Sequence, residues 1–102
     1  MNPTQEQIKE LWEWCGWSSN GAYWFSPFPN EHSAKNLPSI DLNNLFKYAV
    51  PKLDYPNMLL YYVVNVKEWY CVLRMASHPW EIGEFSETPA LALFWAIYKV
   101  MK

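Results

Sequence analysis

The sequence predicts an α+β domain in which a small, mostly antiparallel sheet is covered by helices on both faces, a three-layer α/β/α sandwich. Three observations carry this. Capped helical patterns open the chain, recur in its middle and close it. Residues 58–66 and 69–76 are β-rich runs joined by a polar turn. Both runs are apolar at odd and even positions alike, whereas a sheet with one wet face alternates apolar and polar residues. Cover on each side of the strands is the simplest account, and helices are the available cover.

The elements follow in order. Thr4 and Gln7 form a capping-box pattern, and Ile8, Leu11, Trp12 and Cys15 trace one helical face. Gly16 is a natural residue just past the helix end. Residues 17–40 read mostly as loop, with a turn at Asn20-Gly21, a short strand over 22–26, and breaks at Pro27, Pro29 and Pro38. Asp41 caps a second helix with Leu42, Leu45, Phe46 and Ala49 on its apolar face, and Pro51 ends or kinks it. After a turn at 54–57 come the strands 58–66 and 69–76, with a turn over 65–68 between them. A third strand over 80–86 follows the break at Ser77-His78-Pro79. Thr88 caps a last helix with Pro89 at its first position, and 91–101 is apolar nearly all round. The chain shows no repeat or linker, so residues 1–102 are read as one domain.

Composition bounds the function. With 51% hydrophobic and 18% charged residues the chain is no disordered polymer. Aromatics reach 19%, with seven Trp and seven Tyr, more than a core of this size hides, so a surface patch or cleft of aromatics is expected. The net charge is −2 and Arg74 is the only arginine, which argues against direct nucleic-acid binding and against anionic membrane surfaces. No apolar run reaches the roughly 20 residues of a membrane span. The start is polar with no signal-peptide pattern, so a cytoplasmic protein is expected, with Cys15 and Cys71 as buried free thiols.

Three stretches carry a resemblance: EWCGW at 13–17, LPSIDLNNLFKYAVPKL at 37–53 and ETPALALFWAIYKV at 87–100. Together they resemble the phage ABA-sandwich domain family, small proteins of phages and prophages, over nearly the whole chain. The resemblance implies the same three-layer fold. It brings no catalytic residue, ligand residue or cofactor.

No Gly-rich phosphate loop, nucleophile elbow or zinc motif is present. His32 and His78 have no partner at ligand spacing. Glu81, Glu84 and Glu87 read as solvated strand and cap positions, with Arg74 pairing to Glu84 or Glu81 across strands. Trp12 and Trp17 are candidates for the core as well as for stacking. The expected function is therefore a non-enzymatic phage or prophage accessory protein acting by protein–protein contact. Its specific form is a host-directed inhibitor meeting a host protein through Trp17, Tyr23, Trp24 and His32. The alternative is a sponge for a nucleotide signal, with aromatics stacking the base and Arg74 or Lys35 meeting phosphate. An enzyme ranks third. The apolar circumference of the last helix further predicts a homo-oligomer through Phe94, Trp95, Tyr98 and Met101.

Overall fold

A computed structural model describes residues 1–54, 57–76 and 81–102. Helix α1 (Gln5–Trp14) starts on the capping box: the Thr4 amide donates to Gln7 Oε1 at 2.8 Å, and the Gln7 amide to Thr4 Oγ1 at 3.1 Å. At its end Gly16 takes φ +107°, the Gly16 amide donates to the Glu13 carbonyl and the Trp17 amide to the Trp12 carbonyl. This Schellman closure turns Trp17 back into the core.

Strands β1 (Ser18–Ser19) and β2 (Trp24–Phe25) form a minimal hairpin around the Asn20-Gly21 turn. The Asn20 side-chain oxygen accepts from the Ala22 and Tyr23 amides there. Helix α2 (Leu42–Asn44) is capped by Asp41, whose carboxylate accepts from the Asn44 amide at 2.8 Å. It continues as a π-helical turn (Leu45–Ala49) and a 3₁₀ turn (Val50–Lys52). Pro51 accounts for the widening: it has no N–H, and its ring clashes with the carbonyl four residues back in a regular helix. The Val50 amide reaches Leu45 instead.

Strands β3 (Asn57–Val63), β4 (Glu68–Arg74) and β5 (Ile82–Ser86) form an antiparallel meander in that order. Lys67, at φ +57°, closes the β3–β4 turn by donating its amide to the Val63 carbonyl at 2.8 Å. Pro56 of the expected 54–57 turn, and His78 and Trp80 ahead of the third strand, lie outside the described residues. Helix α3 (Pro89–Met101) begins as expected, with Thr88 Oγ1 accepting from the Leu91 amide at 3.1 Å.

The α+β class holds, but the layers are arranged differently from the expectation. On the inner face of the sheet, Cys71, Leu73 and Ile82 are buried beneath α3, and Glu84 pairs with Lys99 of that helix at 2.9 Å. The other side of α3 meets α1 and α2. The Tyr98 hydroxyl donates to Glu10 at 2.9 Å, and Lys102 bonds the same carboxylate at 2.6 Å. Ala92, Leu93, Phe94, Ala96 and Ile97 have no exposed surface. The all-round apolarity of α3 is thus used inside the chain, and α3, not the sheet, is the central element. Trp95, Tyr98 and Met101 remain half-buried at its margin.

The outer face of the sheet departs from the expected sandwich. Leu59, Tyr61 and Phe85 are 63%, 45% and 47% exposed, and the described helices lie on the inner side. A second helical layer over this face is not found among the described residues. The physical reason is the use already made of the helices: α1 and α2 bury their apolar faces against α3, leaving nothing of this kind to cross the sheet.

Candidate functional site

Side chains on the outer face fall in rows fixed by strand register. Asn57 stands beside Arg74; Leu59 beside Val72 and Gly83; Tyr61 beside Tyr70 and Phe85; Val63 beside Glu68. Because side chains alternate along a strand, these rows share one face, and the inner residues Met58, Leu60, Cys71 and Leu73 share the other. The aromatic row is a ladder. Tyr61 and Tyr70 meet edge-to-face with centroids 5.8 Å apart, and Tyr70 and Phe85 lie 4.2 Å apart at 35°.

Gly83 is required by this ladder. A Cβ there would lie 2.0 Å from the Tyr70 hydroxyl oxygen, so the Tyr70 ring lies flat across the glycine. A groove of about 430 Å³ lies between the aromatics and the Arg74–Glu81 ion pair. Leu59 and Val72 are among the residues that line it. Both charged partners of that pair are more than half exposed, so solvent screens them and the pair is open to exchange.

A second cluster straps the irregular loop to the π-helical turn. The Glu31 carboxylate accepts from Tyr48 Oη at 2.7 Å, from Ser26 Oγ and from Lys47 Nζ. The Lys47 ammonium and the two hydroxyls hold the Glu31 carboxyl down at about 2. Lys47 is correspondingly raised by Glu31, and burial raises Tyr48. At neutral pH the three groups are thus held as carboxylate, ammonium and phenol, a static strap in place of a proton relay. Among the described residues no three His, Cys, Asp or Glu side chains converge as metal ligands. Both cysteines are free and buried, and burial pushes each thiol up to about 12.

The residues singled out from the sequence do not form one site. Trp17 is in the core, edge-on to Tyr48 at 5.1 Å, and its buried indole N–H has no hydrogen-bond partner among the described residues. Tyr23 is exposed beside the β1–β2 turn. Trp24 is half-buried, bridges to Ala34 through backbone hydrogen bonds, and lines a groove of about 350 Å³ against Ile8 and Leu37. His32 is exposed on the loop. Arg74 lies apart from all of these, on the outer sheet face, paired with Glu81. Sequence reasoning missed Leu59, Tyr61 and Phe85 as surface residues and Tyr70 as their half-buried neighbour. The available signal was their chemistry: tyrosine carries a polar end that favours half-wet positions, and Arg74 shares the parity of Tyr70 and Val72. No described helix is long and apolar enough to cross a membrane. Comparison with known protein families, curated proteins and solved structures finds no match to this chain.

Proposed function

We propose that this protein is a non-enzymatic binding module and that the outer face of β3–β5 is its contact surface. The carrying observation is the aromatic row Tyr61–Tyr70–Phe85, with Tyr61 and Phe85 exposed and Tyr70 half-buried, on a sheet face that no described helix covers. Contiguous exposed apolar patches on single chains mark interaction sites, and Tyr is favoured at their centres. In this reading the third layer of the sandwich, which the resemblance implies, is supplied by the partner. The same resemblance, to small proteins of phages and prophages, supports a bacterial host protein as the partner and inhibition as the outcome. The test is capture from a bacterial lysate on the immobilised wild-type chain and on a Tyr61→Lys/Phe85→Lys variant whose folding is verified by circular dichroism. Proteins held by the wild type and lost by the variant support the reading. Identical captured sets refute it.

A nucleotide ligand is the second reading, favoured by one observation: Arg74 and two tyrosines line the same groove. It ranks second because Glu81 already neutralises Arg74, so a phosphate must displace a carboxylate. Isothermal titration with a panel of cyclic nucleotides decides it, and absence of heat across the panel ends it.

A further inference from the structure

The three-stranded sheet has two edges, β3 and β5, and they are built differently. Strand β5 is five residues long and holds Gly83. Its Glu84 puts a charge on the inner face, where Lys99 of α3 meets it at 2.9 Å. The first residue of the chain lies beside its end: the Met1 ammonium pairs with Glu87, and the Met1 carbonyl accepts from the Trp95 indole N–H at 2.8 Å. Short length, an inward-pointing charge and a covering segment are devices that deter a further strand. Strand β3 has none of them. It runs for seven residues, Asn57–Val63, with no charge, proline or glycine. Among the described residues no backbone group of 57–62 is hydrogen-bonded outside the β3–β4 ladder. Leu59 and Tyr61 stand exposed on one side of the strand and Tyr62 on the other, while α3 lies chiefly over β4 and β5. Alternate residues of an edge strand turn N–H and C=O away from the ladder. About half of β3 therefore presents both groups outward, spaced about 6.7 Å apart along the strand. Water satisfies this row in the free chain, and among protein ligands only another extended main chain matches its spacing.

We propose that the open edge of β3 takes up an extended peptide segment of a partner protein as a further strand of the sheet. This surface adjoins the outer face and is separate from it, so neither reading depends on the other. The edge also specifies the segment. Its main chain supplies the affinity, through donors and acceptors that face those of β3. It is uncharged along the paired stretch, because β3 offers no charge to meet one. On the inner side its alternate residues lie beside Met58, Leu60 and Tyr62, so β-branched or aromatic residues there extend the half-buried row. A second copy fits less well. Its own Met58 and Leu60 are already packed against its core, so two folded copies meeting along this edge would bury far less than the roughly 800 Å² per partner of a standard interface. A pliant segment has no such commitment and lays its side chains on both sides of the sheet.

The test selects from a random short-peptide library on the immobilised full chain and studies the most enriched sequence as a synthetic peptide. In the free chain, alternate amides of 57–63 should exchange rapidly with solvent when followed by nuclear magnetic resonance. With the peptide bound they should become protected, and the amides of β5 should be unchanged. Methylating the peptide nitrogens one at a time should weaken binding about tenfold or more at every second position, where an N–H facing β3 is lost, and hardly at the positions between. A library that yields no peptide enriched above the bare support overturns the proposal. So does a methylation profile without the two-residue period, or protection that falls outside β3. Alternate β3 amides already protected in the free chain, more so as its concentration rises, would give the edge to a second copy and overturn the peptide.

Discussion

Replacing Gly83 by Ala should destabilise this protein, although the same change at an ordinary strand position stabilises. Glycine inside a strand costs roughly 0.5–1 kcal/mol relative to alanine, so the backbone contribution favours Gly83→Ala. Against it stands the Tyr70 ring. The new Cβ would lie 2.0 Å from the Tyr70 hydroxyl oxygen and 2.6 Å from Cζ, so the ring must leave. Leaving disrupts its contacts with Tyr61 at 5.8 Å and Phe85 at 4.2 Å, at roughly 0.5–1.5 kcal/mol for each pair. The net expectation is a loss of about 1 kcal/mol, or about 4–8 °C in Tm for a domain of this size. The decisive control is the same substitution in a Tyr70→Ala background. There the ring is gone, only the backbone contribution remains, and Gly83→Ala should stabilise. Urea unfolding followed by circular dichroism gives all four corners of the cycle. If Gly83→Ala has the same sign in both backgrounds, the ring does not rest on the glycine and the argument fails.

Three further outcomes are expected. Glu31 sits at about 2 in the folded chain against about 4.5 unperturbed, so its contribution to stability is present above pH 4.5 and lost as pH falls toward 2; Glu31→Gln should flatten the acid limb of a urea-midpoint profile over that window, and parallel profiles would refute the strap. Trp12→Phe breaks the bond from the indole N–H to the Pro38 carbonyl at 3.0 Å and should cost about 1–3 kcal/mol from that loss alone. Trp17→Phe removes an unpartnered N–H and should cost less; equal costs in chemical unfolding would contradict the assignment. Gly16→Ala forces a side chain into φ +107° and to 2.9 Å from Pro27, so a loss of at least about 1–2 kcal/mol is expected, measured as a fall in the urea midpoint.

Local chemistry was legible in the sequence. The Thr4–Gln7 box, the Gly16 exit, the Asp41 cap and the Thr88-Pro89 start all act within a few residues, and each forms the element it signals. The cover over the strands was not legible, because an apolar strand face specifies avoidance of water without specifying what shields it. The more telling pattern was in α3, whose apolar circumference required neighbours on every side and made it the centre. The Glu31 strap could not be read at all: Glu31 and Lys47 stand 16 residues apart in unrelated local patterns, and only the fold joins them. For the outer face, the register of three strands was needed before Tyr61, Tyr70 and Phe85 became one row. Trp17 illustrates the converse, since its place beside Tyr48 follows from the Gly16 reversal rather than from its stacking chemistry.

The central position of α3 also orders events at the ribosome. It follows every other described element in the chain, so the inner face of the meander emerges before the helix that buries it, while α1 has only the Tyr48 turn to pack on. Until residues 89–101 clear the exit tunnel there is no hub on which either can close. The inner face of the sheet and the core side of α1 are thus closed in one step, when α3 docks between them.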